Sequence, residues 1–247
     1  MRKTLVVALA AVLCLSLAAT ALAQRGDPNN TTNKLTVKAS PNKAGTKKKP
    51  KAVAFTLGIS GGTKDGKSQP ASSTSLNTVL PSGWKINSKI WPKSKSCDLK
   101  KMRAQKSPAS CPKGSKVGSG ISIAKAAGGA FVENLKVTAY SLTNGNIGFY
   151  LVGKPVALNK TLEGKVVKGG RGLNVTIDPD VYQPAPNFYT GITKLEVKFN
   201  AKAKIKGKTR GAVETTKCPK SKKWNFTFQN ILLGGGKIDN KTSIACR

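Results

Sequence analysis

Apolar residues in this chain recur at every second position, and that period constrains the fold more than any other feature. Val53, Phe55, Leu57 and Ile59 alternate with Ala54, Thr56, Gly58 and Ser60, the pattern of a strand with one buried face. The alternation returns in Leu135-Val137-Ala139, Ile147-Phe149-Leu151, Leu173-Val175-Ile177, Leu195-Val197-Phe199 and Trp224-Phe226-Phe228. Shorter runs follow the same rule at Leu35-Val37, Leu76-Thr78-Leu80, Val117 to Ile123 and Leu162 to Val167. Turn-forming pairs punctuate them, and Asn144-Gly145 between two alternating runs is the strongest hairpin signal. Many short strands separated by turns predict an all-β chain, expected to be an antiparallel β-sandwich, immunoglobulin-like or related. Its core should contain Phe55, Leu57, Phe149, Leu151, Val175, Val197, Phe199 and Phe226.

One segment breaks the period. Asp98 stands where a helix N-cap belongs, and Leu99 to Gln105 follows without glycine, proline or β-branched residues. Leu99 and Met102 share a face, with Lys100, Lys101 and Arg103 pointing away. The spacing predicts one short helix between Cys97 and Cys111.

The N-terminus dictates how the rest is read. Met1-Arg2-Lys3 is a basic start, Thr4 to Thr20 an apolar run too short for a stop-transfer span, and Ala21-Leu22-Ala23 places small residues where a signal peptidase inspects them. A signal peptide is therefore expected over 1–23, a flexible polar segment over 24–33, and a single domain over 34–247. The mature chain is expected to be secreted or held at a cell surface, with no transmembrane segment. Its four cysteines, Cys97, Cys111, Cys218 and Cys246, then read as two disulfides, for which three connectivities exist. Proximity favours Cys97–Cys111 and Cys218–Cys246, each restricting the unfolded ensemble by about 3 kcal/mol on the chain-entropy account. The spacings lack the paired C-x2-C knuckles of a zinc site.

Histidine is absent from all 247 residues, which removes Ser-His-Asp and Cys-His chemistry and the commonest metal ligand. Ser-x-x-Lys occurs four times, at Ser40, Ser82, Ser110 and Ser122, against about three expected by chance from the serine and lysine content. Asp178 and Asp180 around Pro179 are the only acids close together, and an Asp-Pro-Asp turn accounts for them. Trp224 alternates with Phe226 and Phe228 and belongs to the core, whereas Tyr182 and Tyr189 flank a proline-containing loop and are expected at the surface.

Charge carries the functional signal. The whole chain has 43 basic and 10 acidic residues, net +33, and losing Arg2 and Lys3 with the leader leaves +31. The run Lys47-Lys48-Lys49-Pro50-Lys51 concentrates it, though the excess is spread throughout. Lysine far outnumbers arginine, favouring point-charge contact with polyanions over the bidentate base reading that arginine performs.

Leu80-Pro81-Ser82-Gly83, the stretch from Cys97-Asp98-Leu99 to Cys111-Pro112-Lys113-Gly114-Ser115-Lys116-Val117-Gly118-Ser119-Gly120, and Cys218-Pro219 with Trp224-Asn225-Phe226 and Cys246 together resemble a family of exported actinobacterial proteins. That family is uncharacterised. The resemblance implies a β-sandwich and export, and carries over no catalytic residues.

The expectation is a non-enzymatic, exported basic protein that associates nonspecifically with anionic cell-envelope or extracellular polymers through lysines including Lys47, Lys48, Lys49 and Lys51, without metal or cofactor. Two alternatives remain: a secreted hydrolase of an envelope polymer using carboxylates including Asp178 and Asp180, and a nonspecific nucleic-acid binder.

Overall fold

The computed structural model describes residues 25–88, 91–205 and 207–247, so the expected signal peptide over 1–23 lies outside the described residues. Sixteen strands follow in chain order: β1 (Thr31–Ser40), β2 (Lys51–Ala52), β3 (Ala54–Thr63), β4 (Ser73–Val79), β5 (Trp84–Ile86), β6 (Lys116–Ala126), β7 (Phe131–Ser141), β8 (Ile147–Lys154), β9 (Asn159–Val167), β10 (Gly172–Thr176), β11 (Thr190–Phe199), β12 (Lys202–Ile205), β13 (Lys208–Gly211), β14 (Val213–Thr215), β15 (Lys223–Leu232) and β16 (Lys237–Ala245). Each alternating run named from the sequence forms one of these strands or runs into its end.

The chain is all-β and antiparallel. Hydrogen bonding runs unbroken through eleven strands in the order β1-β3-β11-β6-β7-β8-β9-β10-β4-β15-β16. The faces that enclose the core thus belong to one curled sheet. Its ends approach each other, with β16 returning alongside β1. Past the strands the seam is clipped, since Arg247 N–H donates to Asn42 O (2.8 Å) and Arg247 O accepts from Ala44 N–H (3.3 Å). The result is nearly a barrel, as expected when a long twisted sheet curls to hide its edges.

Inside the curl the alternation is realised side chain by side chain. Phe55, Leu57, Phe149, Leu151, Val197, Phe199 and Phe226 are buried and Val175 packs against them, as expected. One end is filled by aromatic rings. Phe55 stacks on Phe199 and Phe226 and meets Trp84 edge-on at 5.4 Å, while Trp84 meets Trp224 at 5.0 Å. A small sheet, β2-β14-β5, caps that end and carries Trp84.

The short helix α1 (Leu99–Gln105) lies where the sequence placed it, and the Asp98 carboxylate accepts from Lys101 N–H. Met102 is fully buried with Cys97 and Leu142, so the helix packs through its apolar face. Both disulfides have the favoured connectivity, Cys97–Cys111 with Cα atoms 4.7 Å apart and Cys218–Cys246 at 5.7 Å.

Three local details differ from expectation. The Asp178-Pro179-Asp180 turn opens a four-residue helix, α2 (Pro179–Tyr182), because Pro179 at the first helical position has no N–H to leave unpaired. The polar segment before residue 34 carries structure, since Asp27 bridges to Pro70 and β1 already begins at Thr31. At the β7–β8 hairpin only Gly145 takes positive φ (80°) and Asn144 does not. There the Asn144 side chain instead accepts from Asn146 N–H.

A buried carboxylate of the capping sheet is paired with an arginine of the neighbouring β12-β13 hairpin. Glu214 is 2% exposed and receives Arg210 through two 2.7 Å hydrogen bonds and Gly211 N–H at 3.0 Å. Burial by itself would raise its carboxyl, but Arg210, Gly211 N–H and the Asn87 amide hold it below its ordinary value. Glu214→Ala removes the Arg210 hydrogen bonds and leaves Gly211 N–H without its acceptor, while Arg210 can still reach solvent, so unfolding stability should fall by about 2–3 kcal/mol in urea titrations. Because the folded-state pKa is depressed, this stabilisation is present above the ordinary glutamate value of about 4.3 and is lost as pH falls below it. The gap between wild type and Glu214→Ala should therefore narrow in acid.

Candidate functional site

Lys47, Lys48 and Lys49 are exposed on the loop between β1 and β2. The loop is tightened by Thr46 N–H donating to Lys49 O and Lys49 N–H donating to the Thr46 hydroxyl, both at 3.0 Å. Lys51 is set apart from them, half-buried and paired with Thr215 in the capping sheet. The four lysines singled out from the sequence therefore form a compact group of three and a neighbour with a structural task.

The outer face of the curled sheet holds a second group that the sequence reading missed. Lys38 and Lys198 sit in register across Thr56, and Lys34 and Lys194 across Ser60. All four lysines are exposed. Two strand spacings and four residue rises put them at the corners of a rectangle of roughly 10 by 14 Å. Glu196 is the single acid within it. A period-two search for lysine in the outward register would have found this group, because Lys34/Lys38 and Lys194/Lys198 share parity in their strands.

Acids offset little of this charge. Ion pairs among the described residues engage only Arg103 with Asp178 (3.9 Å), Lys160 with Asp180, and Arg210 with Glu214. Several of the other acids serve local structure. Asp65 accepts from Lys67 and Ser68 N–H in a turn, Asp98 caps α1, and Asp239 meets Gln229. Glu163 accepts from the Asn146 and Asn144 amides; the Asn146 bond leads in holding its carboxyl below the usual value. Among the described residues no three Cys, Asp or Glu side chains converge on a possible metal position. Asp178, just before α2, and Asp180, in its first turn, are the carboxylates considered for hydrolysis, and they tie the helix to α1 through Arg103 and to β9 through Lys160.

The interior adds a feature with no counterpart in the sequence reading. Between the aromatic end and α2 lies an apolar cavity of about 100 Å³, lined by Leu57, Leu135, Val137, Phe149, Leu173 and Val197 among others. It extends along β11, which lines it from Thr190 to Phe199. A β-bulge between Ile192 and Lys194 shifts the parity there, so that both Ile192 and Leu195 face inward. Val181 and Tyr182 of α2 cover the end away from the aromatic rings. A smaller void of about 10 Å³ adjoins this end, sharing Ala124, Leu135, Val181 and Thr190. α2 and the segment after it thus fold over the barrel mouth, which corrects the surface assignment of Tyr189 and leaves Tyr182 half-buried. Tyr189 is 5% exposed beneath the Arg25 guanidinium, and Tyr182 lines the cavity.

One carboxyl faces this end. Glu133 is 5% exposed and lines the smaller void. Its Oε2 accepts from Val156 N–H at 3.1 Å, while Oε1 is buried with no partner among the described residues. A Cβ at Gly153 would overlap Oε1, so a glycine is needed opposite it. Burial raises the carboxyl, and the Val156 N–H only partly offsets this. Glu133 was legible in principle: it occupies the inward parity of Leu135, Val137 and Ala139, a charge in the apolar register of a strand.

Comparison of the chain with protein-family models, curated proteins and solved structures returns no match. Among the described residues no helix is long and apolar enough to cross a membrane. That and the two disulfides are compatible with a secreted protein.

The Glu133 environment has a measurable consequence. A carboxyl raised in the folded state binds more protons there than in the unfolded chain, so its contribution to stability declines as pH rises above the unfolded value. Glu133→Gln keeps an acceptor for Val156 N–H and abolishes the titration. Denaturant unfolding should show the variant gaining stability relative to wild type between pH 4 and pH 7. A constant difference across that range would contradict the assignment.

Proposed function

We propose that this is an exported, lysine-rich binding protein without catalytic activity, which associates nonspecifically with anionic polymers of the cell envelope or extracellular space. The observation that carries the reading is the exposed rectangle of Lys34, Lys38, Lys194 and Lys198, together with the Lys47–Lys49 loop, facing a surface where acids neutralise few cations. Contact of this kind is long-ranged and tolerant of sequence, because a lysine ammonium acts as a point charge on a flexible stem. Export follows from the N-terminal leader pattern, and two disulfides suit an oxidising compartment. Nucleic acid is one polyanion among those such a surface attracts.

The reading is tested by titrating salt against binding to teichoic-type polymer, acidic polysaccharide and DNA side by side. Log affinity should fall linearly with log salt, with a slope of about −0.9 for each phosphate neutralised on duplex DNA. Neutralising Lys47, Lys48 and Lys49 together to Gln should flatten that slope by up to about 3, and the four strand lysines by up to about 4. Binding should change little between pH 5 and pH 8, since the chain has no histidine and ordinary lysines stay protonated there. Tight, salt-insensitive binding to a neutral glycan would refute the reading. Turnover of an envelope polymer that is abolished in Asp178→Asn/Asp180→Asn would replace it with the hydrolase.

A further inference from the structure

The lysine surface leaves the barrel interior without a task, and the interior is where the fold departs from ordinary packing. Cores are filled to crystal-like density, with few voids larger than a water molecule. Here an apolar cavity of about 100 Å³ lies along the barrel, reaching from Phe199 and Phe149 beside the aromatic rings to Val181 and Tyr182 under α2. An engineered cavity of about 150 Å³ with comparable walls stays dry and takes up benzene, so a space of this size suits a slim group of about four to six carbons. Its extent along β11 favours a chain over a compact ring.

The far end is not apolar throughout. The smaller void under Val181, Pro184 and Phe188 is lined by Glu133, whose Oε1 is buried and unpartnered among the described residues. A void of about 10 Å³ has room for at most one water molecule or one hydroxyl-sized group. An orphaned oxygen is costly unless something occupies that space and bonds to it.

We propose that the cavity is a binding site for a single alkyl chain ending in an uncharged hydrogen-bonding group such as a hydroxyl, with the chain along β11 and the head against Glu133. A charged head would have to be desolvated beside apolar walls, which disfavours carboxylate and ammonium ends alike. The ligand enters beneath α2 and the segment that follows it. Arg103–Asp178 and Lys160–Asp180 fasten this cover to α1 and β9 from outside. Both pairs are exposed and contribute little, and the remaining ties of α2 and Phe188 are the Thr190 hydroxyl on the Val181 and Tyr182 carbonyls and the edge contact of Phe188 with Phe131, few enough for the cover to open. Asp178 and Asp180 act here as latch residues and touch no ligand.

The test is calorimetry of the purified mature protein with the 1-alkanols from butanol to decanol, alongside hexanoate and hexylammonium at pH 7. Affinity should rise about fourfold per methylene until the cavity is filled and then level off. Hexanol should bind at least tenfold more tightly than either charged analogue, and should shift the backbone amide NMR signal of Val156, whose N–H shares Glu133. Val175→Phe, which fills the cavity from a half-buried lining position, should abolish binding with the amide spectrum otherwise folded. Glu133→Leu should weaken hexanol about tenfold while leaving the methylene increment intact. Asp178→Asn/Asp180→Asn should speed ligand exchange with little change in affinity. The absence of saturable alkanol binding to the wild-type protein would show the cavity to be a packing void and overturn the proposal. So would preferred binding of hexylammonium, which would make Glu133 an ionised partner.

Discussion

Phe55 on β3 packs against Trp84 on β5, Phe199 on β11 and Phe226 on β15, with ring centroids 5.4 to 6.3 Å apart. The third contact matters most, because β3 and β15 are each second from an end of the eleven-strand order. Their rings meet across the interior at 5.8 Å and hold the two ends of the sheet face to face. Each such pair contributes roughly 0.5–1.5 kcal/mol beyond the area it buries. The hydrogen bonds between Arg247 and the Asn42–Ala44 segment then clip the seam beyond the strands.

The rings of that cluster fill one end, while the middle of the barrel is lined mostly by aliphatic side chains. Leucine, valine and isoleucine make up most of the lining between the rings and α2, and they leave the cavity between them. The cover over that end is a four-residue helix and a proline-containing loop, joined to the barrel by two exposed ion pairs.

A large excess of positive charge works against any compact state through self-repulsion. The chain meets this by putting lysines in the outward register, where water screens them, and by restricting the unfolded chain. Cys97–Cys111 closes the excursion that carries α1, and Cys218–Cys246 joins the stretch leading into β15 to the end of the chain beside the seam. The acids, too scarce to neutralise the surface, are used where geometry needs them: at a helix cap, in a turn, at the latch and inside the capping sheet.

Residue order alone determined which side chains face inward, because a strand alternates its faces whatever it pairs with. That made the strands, their buried residues, the α1 cap and the favoured disulfide partners readable before any coordinates. It also placed Glu133 in an apolar register, though not what lies opposite. Pairing order could not be read the same way: β4 lies between β10 and β15, and β11 between β3 and β6, partners far apart in sequence and chosen by how the whole sheet buries its face. The same holds for the burial of Tyr189, the inward turn of both Ile192 and Leu195 at a bulge, and the latch made by Asp178 and Asp180. Each depends on what a residue meets across the barrel. The cavity depends on it most of all, since a void is the absence of a neighbour, and only tertiary structure decides where neighbours are missing.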